Sequence, residues 1–209
     1  MKRIKLILPL LMLFSLGFIS PQTVDDDEEG YSVGSTVKDF KLRNVDGRMV
    51  SLNHFTHARG FIVIFTSNTC PIVKLYEERI IQLHRDFAPL GYPVIAINSN
   101  SAEKYPKESL DHMAERHREK KYPFPYLQDK TQEVAKQFGA SRTPHTFVLK
   151  REEGKMEVVY IGAIDDKVQK PNEVGRQFVR EAINRMIRGK RIRKTETRAV
   201  GCTIKWKES

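Results

Sequence analysis

Two cysteines, Cys70 and Cys202, carry the side chains of this 209-residue chain best suited to redox or nucleophilic chemistry. Cys70 stands in FIVIFTSNTCPIVK, residues 61–74, directly after Ser67, Asn68 and Thr69 and directly before Pro71. Proline fits the first position of a helix, where its missing N–H would have no partner and its fixed φ is already helical. Cys70 is therefore expected at the N-cap, beside unpaired N–H groups and the positive end of a helix dipole. Such a place lowers a cysteine pKa from about 8.5 to roughly 3.5–7.5 and favours the nucleophilic thiolate. The competing reading is an inert, buried thiol, a common state of free cysteine. A cysteine this scarce, falling between a buried strand and a helix start, fits a reactive role better.

The elements that must position Cys70 follow from the apolar pattern. Phe61, Ile62, Val63, Ile64 and Phe65 form an unbroken β-branched and aromatic run, the signature of a strand covered on both faces. After Cys70, Ile72, Leu75, Tyr76, Ile80, Leu83 and Phe87 recur at helical spacing, which predicts an amphipathic helix to about Ala88. VIAIN at 94–98 is a second buried strand, and strand, helix and strand make a parallel βαβ unit. Ahead of it, Val37, Phe40 and Leu42 alternate, a turn falls at Asp46-Gly47, and Met49, Val50 and Leu52 follow, which predicts a β-hairpin over residues 31–55.

Residues 105–121 read as a charged helix. His112 and His117 are five apart there and do not stack as a metal pair would. Asp129 and Gln132 are expected to cap a short helix through Val134, Ala135 and Phe138 that Gly139 ends. ASRTPHTFVLK, 140–150, is a loop with Pro144 entering a strand, a candidate cis peptide, and 156–161 is the antiparallel partner. Val174, Phe178, Ala182, Met186 and Ile187 predict a last helix, and AVGCTIKWK, 199–207, is apolar enough to pack back on the domain.

The ends set the context. Residues 1–20 have a basic start at Lys2, Arg3 and Lys5 and an apolar run from 6 to 19, the pattern of a secretory signal. At 14 residues that run is short for a membrane span. Residues 21–33 contain DDDEE and read as a solvated acidic linker. Residues 34–190 are then one domain, and 191–209 a basic tail with the second cysteine. An exported domain works where disulfides persist. The chain's net charge of +10 is concentrated toward its C-terminal part. In an exported chain without interleaved aromatics that charge reads as a solvated face, and no nucleic-acid partner is expected. Membrane contact is expected only through an uncleaved N-terminal segment.

Taken together these residues resemble the thioredoxin-like superfamily, in its redoxin branch of alkyl-hydroperoxide-reductase/thiol-specific-antioxidant and TlpA/ResA-like proteins. The resemblance rests on Gly34, Asp39-Phe40-x-Leu42, Asp46-Gly47, Ser51-Leu52, on Asn68-Thr69-Cys70-Pro71, on Thr143-Pro144 before a strand, and on PFPYLQD, YIGAIDD and VGCTIKW in the second half. It implies an α/β thioredoxin-like fold, a central mixed sheet flanked by helices, with an N-terminal β-hairpin and a C-terminal tail. It also implies that Thr143-Pro144 is a cis-proline loop beside the active cysteine. Two departures bear on the reaction. Val73 stands where the superfamily has the second cysteine of C-x-x-C, which excludes a disulfide within one helical turn. Ser67 stands where peroxidases of the branch place threonine.

The expected activity is thiol-based oxidoreduction, with Cys70 the nucleophile and Cys202 the resolving cysteine. Asn68, Thr69, Thr143 and Pro144 are expected to border the substrate, and neither metal nor cofactor is expected. The substrates are protein thiols and disulfides, with an unspecified external reductant; hydroperoxides are the alternative. A further alternative is a binding module in which Cys70, Cys202 and His145 hold Cu(I), for which thiolate and imidazole are apt ligands. Cys70 and Cys202 are expected to pair, being the only cysteines of an exported chain whose helix has no vicinal partner.

Overall fold

The computed structural model describes residues 30–208; the secretory signal expected at 1–20 and most of the acidic linker lie outside the described residues. The chain runs β1 (Thr36–Val37), β2 (Lys41–Asn44), β3 (Met49–Ser51), β4 (Gly60–Thr66), α1 (Pro71–Phe87), β5 (Val94–Asn98), α2 (Leu110–Lys120) and β6 (Tyr126–Gln128). It continues with α3 (Glu133–Phe138), β7 (Arg142–Thr143), β8 (His145–Glu152), β9 (Lys155–Gly162), α4 (Phe178–Ile187) and β10 (Cys202–Thr203). Eight strands form one mixed sheet in the order β1-β9-β8-β4-β5-β6-β2-β3, and β10 pairs with β7 in a small second sheet.

β4 is central because every one of its residues is buried, with parallel β5 on one side and antiparallel β8 on the other. Its side chains alternate between two cores. Phe61, Val63 and Phe65 face a cluster closed by Phe138, Phe147, Leu127 and the tail residue Ile204. Ile62 and Ile64 face the cluster under α1, α2 and α4, with Tyr76, Ile80, Met113 and Ile183. The order of strands forces the sheet to curl. Only residues 38–40 separate β1 from β2, about 14 Å at full stretch. Across a flat sheet the two strands would stand six spacings apart, roughly 29 Å.

That curl corrects the reading of a single alternating strand through Val37, Phe40 and Leu42. Val37 pairs with Met156 of β9 at one end of the sheet, and Leu42 pairs with Val50 in the hairpin at the other. Phe40 crosses between them into the Phe138 cluster, its ring 6.1 Å from that of Phe138. The hairpin itself turns at Asp46-Gly47, where Gly47 has φ of 86° and donates to the Asn44 carbonyl. The end of the expected linker also belongs to the domain. Tyr31 lies edge-on to Phe138 at 5.0 Å and its N–H donates to Gln137 O, since a half-buried aromatic ring gains from that contact.

Helix α1 starts and stops where the sequence predicts, but its buried stripe differs. Leu75 is exposed, and Val73, Glu77 and Ile81 are buried in its place. The carboxylate of Glu77 is tolerated there because Arg116 lies 2.6 Å away in an ion pair and Tyr122 OH donates to it. α4 begins at Phe178, leaving Val174 outside it, and buries Val179, Ala182 and Ile183. Asp129 holds the start of α3 through the Ala135 N–H, 2.9 Å, whereas Gln132 turns its side chain to the tail instead of to the helix.

Candidate active site

Three strand ends meet at one edge of the sheet: those of β4, β5 and β6. There the apolar runs give way to buried polar residues, Ser67 and Asn68 after β4, Asn98 to Ser101 at and after β5, and Asp129 after β6. Polar groups buried this deeply must be hydrogen-bonded. The centre of their network is Glu108, 1% exposed, in a short 3-10 turn before α2. Its carboxylate accepts from Ser67 Oγ (2.7 Å), Asn68 N–H (2.9 Å), Thr69 N–H (3.2 Å), Thr69 Oγ1 (2.5 Å) and Asn98 Nδ2 (2.7 Å). Burial pushes its pKa up, but hydrogen bonds from Thr69, Ser67, Asn68 and Asn98 outweigh that and hold it below the ordinary carboxylate value. Ser67 Oγ in turn accepts from the N–H groups of Thr69 and Cys70, each 3.1 Å. A fixed negative charge thus shapes every residue of the turn that delivers Cys70 to α1.

Cys70 is the N-cap residue of α1, with φ −65° and ψ 118°, followed by Pro71 inside the helix. It is 3% exposed and bonded to Cys202, with Cα atoms 6.0 Å apart. Its sulfur lies 3.2 Å from the Thr143 carbonyl oxygen. The Thr143–Pro144 peptide is cis. Cys202 reaches this point because β10 runs antiparallel to β7, with Cys202 opposite Thr143 and Thr203 opposite Arg142. Only glycine fits at 201, where a Cβ would stand 2.1 Å from Thr143 O. Beyond it Ile204 is buried, Lys205 N–H donates to Asn100 Oδ1, Ser101 N–H donates to Lys205 O, and Lys207 N–H donates to Gln132 Oε1. Upstream, Thr197 Oγ1 meets Tyr160 OH at 2.6 Å and accepts from Ala163 N–H. The tail is anchored on both sides of the disulfide.

The residues expected around the sulfur are placed unequally. Thr69, Thr143 and Pro144 adjoin Cys70 or its contacts. The Asn68 amide is turned inward, donating to Lys107 O and accepting from Tyr126 OH, both 2.8 Å, so it holds the turn. His145 is 9% exposed and desolvation lowers its pKa to about 4, so it is neutral at pH 7. Of the residues named for Cu(I), both sulfurs are in a disulfide, and no group of three metal-ligating His, Cys, Asp or Glu side chains occurs among the described residues. Glu108 is absent from the sequence reading. The run NSNS ending β5 hints at a polar network there, but nothing in SAEKYPKES singles out its carboxylate.

The sequence profile of the AhpC/TSA family matches residues 33–159, more than half of the chain. The chain belongs to the AhpC/TSA family. It is 24% identical over 155 residues to the thiol-disulfide oxidoreductase ResA of Geobacillus thermodenitrificans (strain NG80-2), covering 74% of this chain and 84% of that protein. Among solved structures, a hypothetical protein from Sinorhizobium meliloti 1021 is 33% identical, with a TM-score of 0.79, over 87% of this chain and 98% of its own. An uncharacterized conserved protein from Geobacillus kaustophilus is 35% identical, with a TM-score of 0.78, over 87% and 96%. The fold is thioredoxin-like, in the redoxin branch, and the protein is a thiol-based oxidoreductase.

Proposed function

We propose that the protein catalyses thiol–disulfide exchange on other proteins, with Cys70 and Cys202 as its working pair. The observation that carries this reading is the bond between them, 132 residues apart, in a chain whose helix has Val73 where a vicinal cysteine would stand. In the reduced protein the Cys70 thiolate attacks one sulfur of a substrate disulfide, and the other substrate sulfur leaves as thiolate. Cys202 thiolate then attacks Cys70 Sγ, the second substrate thiolate departs, and the Cys70–Cys202 bond forms. Two electrons pass to the substrate, and an external thiol restores the pair.

The anchors at Thr197 and at 204–207 suit the resolving role, because they keep Cys202 at high effective concentration without the disulfide. Residues 198–203 between them are the stretch that can bow away from Thr143 to admit substrate. Thr69, Thr143 and Pro144 border that opening, while Asn68 and Glu108 fix the turn beneath it. ResA's description as a thiol-disulfide oxidoreductase supports the reading. Export is proposed from the basic and apolar pattern of residues 1–20, and it agrees with a disulfide that must persist. No helix among the described residues is long and apolar enough to cross a membrane.

Hydroperoxide reduction is the second reading, favoured by the depth of Cys70, which a small oxidant reaches more easily than a protein does. There Cys70 would become a sulfenic acid and Cys202 would condense with it, releasing water. Against it, the Ser67 hydroxyl donates to Glu108 and accepts from Cys70 N–H, an orientation set by the turn. A steady-state comparison of wild type, Cys70→Ser and Cys202→Ser with a disulfide-bonded protein and, separately, with hydrogen peroxide tests the two. Turnover of the protein substrate that needs both cysteines supports exchange; turnover of peroxide alone overturns it.

A further inference from the structure

The two sulfurs of the disulfide are not equivalent. Cys70 is 3% exposed and lies beneath the tail, between α1 and the Thr143 carbonyl, whereas Cys202 is part-exposed on the tail strand with Val200 and Thr203 exposed beside it. Exchange needs an incoming thiolate in line with the S–S bond, on the far side of the sulfur it attacks. Cys202, part-exposed, is the more open of the two to that approach, and Cys70, 3% exposed, the more closed.

The leaving group differs in the same sense. Cys70 caps a 17-residue helix with proline in its first turn, so a thiolate there gains from the positive end of the helix dipole and the unpaired N–H groups. Cys202 sits in a two-residue strand with no helix end beside it. A lower thiol pKa makes a faster leaving group. The Glu108 carboxylate, which holds Thr69 just before Cys70, opposes that thiolate, but it is already engaged by five donors from Ser67, Asn68, Thr69 and Asn98.

We infer that the disulfide opens with a fixed polarity: the thiolate of the external reductant attacks Cys202 Sγ, and Cys70 leaves as the thiolate. This inference rests on the exchange reading above and deepens it by naming the sulfur that meets the reductant. The first thiolate forms a bond to Cys202 Sγ as the Cys202–Cys70 bond breaks. A second thiolate then attacks the reductant sulfur of that mixed disulfide, Cys202 departs as thiolate, and one oxidised dithiol molecule is released. The reductant loses two electrons and the protein gains them. Cys70 then waits, free of any adduct, as the nucleophile for the next substrate, so reductant and substrate address different sulfurs of one pair.

The test uses the oxidised full chain. It is exposed briefly to reduced glutathione, quenched with excess N-ethylmaleimide, and mapped by mass spectrometry without reduction. The expected result is glutathione on Cys202 and maleimide on Cys70, exceeding the reverse arrangement by roughly tenfold or more, as access and leaving-group acidity act together. Glutathione on Cys70, or equal amounts on both, overturns the polarity while leaving the exchange reading intact. A disulfide that glutathione and dithiothreitol both leave closed overturns the exchange reading and the polarity with it.

Discussion

The segments that meet at the disulfide, Ser67 to Pro71 and Val200 to Ile204, are held by opposite means. The first is fixed by side chains: Glu108 beneath it gathers two hydroxyls, two N–H groups and an amide, and Pro71 starts the helix. The second is fixed by backbone, through the β10 pairing with β7, the Gly201 contact with Thr143, and the hydrogen bonds that follow Ile204. A side-chain cradle concentrates its strength in one residue and fails when that residue changes. A backbone strand spreads its strength over many weak contacts and can open locally. That difference suits a nucleophile that must stay put and a partner that must move.

The comparison breaks most sharply at the sulfurs themselves. Cys70→Ser is expected to lower exchange turnover by ~100-fold or more, since the nucleophile is gone. Cys202→Ser is expected to leave the first attack intact and to accumulate a mixed disulfide between Cys70 and the substrate, visible on non-reducing gels. Equal loss in both variants with no adduct would remove the division of roles.

Next in size is the cradle. Glu108→Ala leaves five buried or half-buried donors without their acceptor and is expected to destabilise the domain by about 3 kcal/mol or more. Urea unfolding at pH 7 measures this, and a change below about 1 kcal/mol would contradict it. The same residue gives a pH signature. Because its folded pKa lies below the ordinary 4.5, its contribution is complete above that value and is lost as pH falls through the lower folded value. His145 acts in a neighbouring window. Its pKa falls from 6.5 to about 4, so the unfolded chain takes up a proton that the native one refuses. Stability then declines between pH 6.5 and about 4, by roughly 3 kcal/mol, and His145→Asn should flatten that part of the curve.

How much of this was legible in the sequence follows the same division. The turn into α1 could be read because a fully buried strand and a proline bracket Cys70, and each has a local cause. The pairing of Cys70 with Cys202 could be expected because they are the only two cysteines of a chain read as exported, Val73 stands where a vicinal partner would, and the tail around Cys202 is apolar. The cradle could not be read. Glu108 is some forty residues from the turn it holds, in a charged stretch without periodicity, and a buried carboxylate looks in sequence like any solvated one. The path of residues 36–44 was also hidden, because apolar residues keep recurring through Val37, Phe40 and Leu42 while the chain passes from one end of the curled sheet to the other. Alternation reports which face a residue takes, and it is silent on which strand lies alongside.

A smaller effect is expected from the tail. Gly201→Ala places a methyl group 2.1 Å from the Thr143 carbonyl oxygen and also close to Pro144 N, both of them backbone atoms. The strand must lift, while the anchors at Thr197 and Lys205 keep its ends in place. Closure of the disulfide should weaken by roughly tenfold in its equilibrium with glutathione, about 1.4 kcal/mol, with little change in urea stability of the reduced protein. An unchanged equilibrium would show that Cys202 is held by something other than β10.

The finest distinction concerns the two thiols in the reduced protein. Cys70 is expected to titrate below about 7.5, because helix-start N–H groups and the dipole favour its charge, and Cys202 near the unperturbed value of about 8.5. Alkylation by iodoacetamide, followed from pH 5 to pH 10 and resolved by peptide mapping, reads each separately. At pH 7 a one-unit difference makes the thiolate fraction of Cys70 several times that of Cys202, but Cys70 is more buried, so its plateau rate should be lower. Midpoint and plateau therefore move in opposite directions, and only the midpoint reports acidity. The Glu108→Gln variant sharpens the result: removing the one buried negative charge beside the turn should move the Cys70 midpoint down and leave that of Cys202 unmoved, by Coulomb's law. A Cys70 midpoint at or above ~8.5 in both proteins would mean that the helix start does not activate this sulfur, and access alone would then decide how the disulfide opens.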